Sequence, residues 1–276
     1  MLMNRSYKTS AYRYPGEFFI LLLTLLLVAG VVIFTVAATA CLSGVFILAF
    51  VLLSYYLGRS HHQSLVRRAR QVTARASPQI DPILREAAAR LQPGDVLAYI
   101  APGRVLNAYT FGLSSPKVVV VYSGLLDVMD RDELSFILGH ELGHVALGHT
   151  WLNSLVGGIA GVPASWSAGM LMAMAFLWWN RVCEYSADRA GLLACGKPEK
   201  AVSALVKLGA GPRAGQSDLS EVYRRIDAED DNLLGSISEM MGTHPMLIKR
   251  IQAVRKYAGS SEYRRLKKLV DRNLQV

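Results

Sequence analysis

The sequence of 276 residues is long enough for one folded domain plus a membrane anchor, and at 52% hydrophobic it is too apolar for a purely soluble protein. Its formal net charge of +9 is not matched by any nucleic-acid-binding motif, which argues against such a partner. Three scattered cysteines, Cys41, Cys183 and Cys195, form no C-x-x-C pair and suit a reducing compartment better than a disulfide framework.

In chain order, the first feature is the stretch from Phe18 to Gly58, which carries no charge and exceeds the roughly 20 residues that one helix needs to cross a bilayer. Its middle, from Ala37 to Gly44, is less apolar and rich in small residues, so a transmembrane helical hairpin is expected, about Phe18–Val36 and about Val45–Leu57. A second apolar run in place of a cleavage site argues against a signal peptide. Arg5, Lys8 and Arg13 precede the hairpin and Arg59, Arg67, Arg68, Arg70 and Arg75 follow it, which predicts that both ends face the cytoplasm at the cell membrane. The same cluster would attract anionic headgroups. His61 and His62, among these arginines, read as solvated.

Residues 59–77 read as a basic linker or a surface helix leaving the membrane. Gln79 to Leu91 has helical spacing, and Pro93-Gly94 stops it. Three β-rich runs follow, Val96 to Ile100, Val105 to Phe111 and Lys117 to Tyr122, and they predict a small antiparallel sheet. Asp130 with Glu133 has the form of a capping box and opens the next helix. The rest reads as helical, with Pro198 near the start of one helix. The expected organisation is a tail at 1–17, a membrane hairpin at 18–58, a basic linker at 59–77 and a mainly α domain with one small sheet at 78–276.

The helix opened by Asp130 carries His140-Glu141-Leu142-Gly143-His144 on an amphipathic segment. Residues four apart share a helix face, so His140 and His144 present two imidazoles to one point with Glu141 beside them. A catalytic zinc takes three protein ligands and leaves a fourth position to water. Glu184, following the apolar run Met170 to Trp179, qualifies as the third. Asp188, one turn later, suits a carboxylate that accepts the spare N–H of a ligand histidine and fixes its tautomer. His149 would be rotated by roughly 140° from His144 on an ideal helix, so packing on the helix surface or behind the ligands is its expected role.

With these residues in place the chain resembles the integral-membrane zinc peptidases that include the CAAX prenyl proteases and the bacterial HtpX-type stress proteases. The matching elements are Asn107 and Ala108, the stretch Val120 to Leu126, His140 to His144 with His149, Glu184 to Asp188, and Thr243, His244 and Pro245 followed by Arg250 and Ile251. The resemblance implies a zincin-like, gluzincin-type endopeptidase holding one zinc ion per chain through His140, His144 and Glu184. It implies Glu141 as general base, His244 and Arg250 as oxyanion donors, and a strand edge at Asn107 and Ala108 against which a protein or peptide substrate pairs. One departure stands out: HtpX-type chains carry further spans between the histidine motif and the glutamate, whereas here only about forty residues intervene, and Trp166 to Trp179 reads as a core or re-entrant piece.

The expected substrates are membrane or membrane-proximal proteins, as in quality control; a short anchor offers little of the chamber that a prenylated peptide would need. A membrane signalling or adaptor protein with a dormant or structural zinc site is the alternative, and it requires a fourth protein ligand closing the site. A receptor protease would need an extracytoplasmic sensor, and no segment here is long enough for one.

Overall fold

The structure is a computed structural model that describes residues 7–39, 42–151, 167–210 and 247–274. Two helices, α1 (Glu17–Ala38) and α2 (Leu42–Arg68), are long and apolar enough to cross a membrane, with large side chains such as Phe18, Leu26, Phe34 and Phe46 exposed. Both expected apolar helices are present, but α2 does not stop at Leu57. It continues through the first half of the basic linker to Arg68 and leads into a short strand, β1 (Arg70–Gln71), so the helix joins the domain through regular structure. On this extension His61 is exposed, but His62 is not solvated as expected: its ring stacks 3.8 Å from the Phe111 ring.

Residues 7–17, read from sequence as a tail, pack on the domain instead. Tyr12 is fully buried in the main core, and the Tyr7 hydroxyl donates to the carbonyl of Arg90.

Helix α3 (Asp81–Leu91) precedes strands β2 (Val96–Ala101), β3 (Ala108–Phe111) and β4 (Lys117–Tyr122). The sheet order is β1-β2-β4-β3. The sheet is small, as the sequence predicts, but mixed rather than antiparallel: β4 inserts beside β2 in parallel, with Val96 opposite Lys117, while β1–β2 and β3–β4 are antiparallel. The reason is the hairpin between β3 and β4, which sends the chain back through the middle of the sheet and leaves β3 as an outer strand.

After a short helix, α4 (Ser123–Val128), the capping box forms as expected: Asp130 accepts from the N–H groups of Asp132 and Glu133, and Glu133 accepts from the N–H of Asp130. The helix it opens, α5 (Arg131–Leu147), is not amphipathic; every residue from Glu133 to Val145 is buried, because α5 is the central rod of the domain. Helix α6 (Ser167–Cys195) lies along it, and α7 (Pro198–Ala210), α8 (Leu247–Ala258) and α9 (Ser261–Asn273) complete the shell. The second basic group, Arg264, Arg265, Lys267 and Lys268, lies on the outer side of α9, whose Tyr263, Leu266 and Val270 are buried.

Two glycines set the distance between α5 and α6. A Cβ on Gly139 would fall 2.3 Å from the Cβ of Ala194, and one on Gly143 would fall 2.6 Å from that of Ala190. Backbone therefore meets small side chains along a seam, and histidines on one helix come within reach of a carboxylate on the other. Along its middle α6 also packs on α1, with Phe176, Trp179 and Cys183 against Ile20, Leu21 and Val28.

Candidate metal centre

His140 and His144 project from α5 and Glu184 from α6, and one ligand atom of each lies within 4.8 Å of the other two. The two imidazole Nε2 atoms are 3.2 Å apart, and each is 3.4 Å from a Glu184 oxygen. Tetrahedral zinc with ligand bonds of about 2.0–2.2 Å requires ligand atoms separated by about 3.3–3.6 Å, so this donor set fits the ion in both chemistry and spacing.

The groups behind the ligands fix their orientation. The His140 Nδ1 is 2.9 Å from Asp188 Oδ1, so Nδ1 donates to that carboxylate and Nε2 faces the ligand cluster. Arg250, from α8, reaches the site too, but its guanidinium is already engaged. Nε and Nη2 donate to the two Asp188 oxygens at 2.7 and 2.6 Å, and Nη1 lies 2.9 Å from Glu184. Such a forked contact makes Arg250 a clamp on two carboxylates.

Charges in this cluster shift one another. Burial opposes ionisation of Glu184 and Asp188, but Arg250 beside them holds both below the usual carboxylate range. Burial likewise opposes charge on His140, yet the Glu184 carboxylate, followed by Asp188, pushes it up to about 10.

Glu141 points into a cleft of about 280 Å³ whose lining includes Asn107, Ala108, Thr110 and Arg250. Its Oε2 accepts from the Thr110 hydroxyl at 2.6 Å. Strand β3 thus forms one wall of the cleft, and as the outer strand of the sheet it has an edge that no strand covers among the described residues. Asn107 and Ala108 stand at its start. His244 lies outside the described residues.

The pattern of peptidase family M48 matches residues 67–258 of the sequence, which includes every element of this centre. The chain belongs to peptidase family M48. A plastoglobule-localized metallopeptidase 48 of Arabidopsis thaliana is 31% identical over 196 residues, covering 64% of this chain and 56% of that protein, so the chain spans just over half its length. Protease HtpX of Shewanella pealeana is 28% identical over 215 residues, 64% of this chain and 72% of that one. A protease HtpX homolog of Paenarthrobacter aurescens is 29% identical over 219 residues, 68% and 75%.

Two features of this M48 centre go beyond the sequence reading: one residue it does not single out, and one whose expected place behind the ligands is reached by a different geometry. Thr110 is one, an unremarkable strand residue until β3 is seen to face α5. His149 is the other: α5 ends at Leu147, Gly148 adopts φ +79°, and the chain turns back so that His149 Nδ1 comes 2.9 Å from His144 Nδ1. The angle of an ideal helix does not apply beyond that glycine. His149 is 2% exposed, and burial, then the neighbouring His144, push it down to about 2, so the ring is neutral.

Proposed function

We propose that this M48 chain is a membrane-anchored zinc endopeptidase that cleaves extended segments of membrane or membrane-proximal proteins. The observation that carries the reading is the mutual spacing of the His140, His144 and Glu184 ligand atoms beside Glu141, in a cleft walled by an uncovered strand edge. Bound zinc supplies a Lewis acid that acidifies water and polarises a carbonyl. Glu141 takes the proton and later delivers it to the leaving amine, and Thr110 holds its carboxylate in place for both transfers. Arg250 and Asp188 keep His140 and Glu184 aimed. The remaining donor expected for the oxyanion is His244. An extended substrate adds to β3 beside Asn107 and Ala108, through backbone hydrogen bonds that tolerate many sequences.

The α1–α2 pair holds the site at the membrane, with both ends and the domain on the cytoplasmic side by the distribution of Lys and Arg. A structural or dormant site would require a closing fourth ligand; among the described residues the cluster contains three.

The test uses the full chain, purified in detergent, stripped of metal and given zinc, with casein as an unfolded substrate beside the Glu141→Gln variant. Zinc-dependent cleavage that disappears in that variant, with zinc still bound, establishes the endopeptidase. Turnover retained by Glu141→Gln refutes the assignment of the base.

A further inference from the structure

The two ligand histidines are backed differently. His140 meets a carboxylate directly, through Asp188. His144 meets His149, and the far nitrogen of His149, Nε2, lies 3.1 Å from Oε1 of Glu17, the first residue of the membrane helix α1. Glu17 is 1% exposed although it opens an apolar helix, and its carboxylate also accepts from Arg13 and from the hydroxyl of Ser186. Arg13 in turn donates to the carbonyl of Leu147 at 2.8 Å, which ties the segment before α1 to the end of α5.

The hydrogen-bond directions follow from Glu17. A carboxylate held by an arginine and a hydroxyl can only accept, so His149 donates from Nε2 and has a lone pair at Nδ1. His144 must then donate from Nδ1, and its Nε2 lone pair is left for the metal. We propose that Glu17 and His149 are positioning residues of the metal centre, fixing the tautomer and ring orientation of His144 as Asp188 does for His140. This rests on the reading of His144 as a metal ligand. A consequence is that the anchor is part of the centre: unless the start of α1 is seated on α5 and α6, one ligand loses its orientation. Glu17, His149 and Cys183 also lie close enough together to suggest a second ion, but Arg13 and Ser186 already occupy the carboxylate.

The test measures zinc affinity by chelator competition, and the visible spectrum after cobalt substitution, on the full chain in detergent. His149→Leu is expected to bind zinc about 10–100-fold more weakly and to change the cobalt spectrum. His149→Gln, whose amide offers an acceptor and a donor side by side, is expected to stay within about threefold of the parent with an unchanged spectrum. Glu17→Gln is expected to lose about tenfold, and decides alone if the leucine variant does not fold. Unchanged affinity in His149→Leu or Glu17→Gln overturns the proposal. So do equal losses in the two His149 variants, which would mean packing alone, and so do two zinc ions per chain. Failure of the parent reading looks different: the unaltered chain binds no zinc, or His144→Ala binds it as well as the parent.

Discussion

Replacing Gly143 with alanine tests whether the separation of α5 and α6 sets the metal geometry. The new Cβ would stand 2.6 Å from the Cβ of Ala190 and 3.3 Å from the Cα of Ala187, where carbon atoms rest at about 3.5–4.0 Å. Both neighbours belong to a helix backbone or its first carbon, so no rotamer change relieves the clash and the helices must part by about 1 Å. Overpacking of this kind costs about 1–3 kcal/mol. The same displacement would stretch the 3.4 Å contacts between the histidines and Glu184 by a similar amount, beyond the separation that tetrahedral zinc accepts. The expected result is a metal-free melting temperature lower by about 2–12 °C and zinc affinity reduced by at least about tenfold. Adding Ala190→Gly removes the opposing methyl and should restore affinity even though glycine costs the helix about 1 kcal/mol. Chelator competition and thermal melting on the two single variants and the double variant read this coupling. Wild-type zinc affinity in Gly143→Ala, or no recovery in the double variant, would refute the reasoning.

Arg250→Gln should lower the stability of the metal-free chain by about 3–5 kcal/mol, because Asp188 is 1% exposed and loses its countercharge; Arg250→Lys should recover only part, since one ammonium cannot fork across both carboxylates. Thermal melting checks both variants, and an unchanged midpoint in Arg250→Gln excludes the clamp. Without metal, His140 is raised from its ordinary value of 6.5 to about 10, so its charged form contributes stability that is complete below pH 6.5 and is lost as pH rises through 10. The melting temperature of the metal-free chain should fall across that window while zinc affinity rises, with about one proton released per zinc bound; calorimetry in buffers of different ionisation enthalpy measures the release, and affinity independent of pH would contradict it. Cysteine substitutions near Thr39 and near Ser77, labelled in sealed vesicles, should react from opposite sides of the membrane; labelling from the same side rules out the hairpin.

The histidine motif, its glutamate and the orienting aspartate are legible in sequence because helical periodicity is local: residues four apart share a face wherever the helix lies. Asp130 and Glu133 announce the start of α5 for the same reason. The mixed order of the sheet is not legible, since a strand run specifies its own pleat but not which neighbour it inserts beside. The uniform burial of α5 is hidden too, because its buried polar residues include the site itself and its glycines face a helix about fifty residues away. The place of His149 behind the ligands is one of the two expected, but its angle is not, because Gly148 ends the helix. Glu17 is not singled out in sequence, standing just outside the uncharged run, and only the tertiary contact shows that it points inward.

The charges explain why these outlying residues belong to one centre. Glu141, Glu184, Asp188 and Glu17 supply four carboxylates around the two histidine arms, and Arg250 and Arg13 supply two guanidiniums. The surplus of two negative charges equals the charge of one divalent cation. In its absence a proton on His140 makes up part of the deficit, which is why that imidazole is pushed up although it is buried. Arg250 contacts Glu184 and Asp188, and Arg13 contacts Glu17, so each guanidinium stabilises the ionised form of its carboxylate partners. An arrangement of this kind favours a divalent ion over an empty site, and on the role proposed for Glu17 the N-terminal segment carrying it and Arg13 contributes to that balance alongside the helices that carry the ligands.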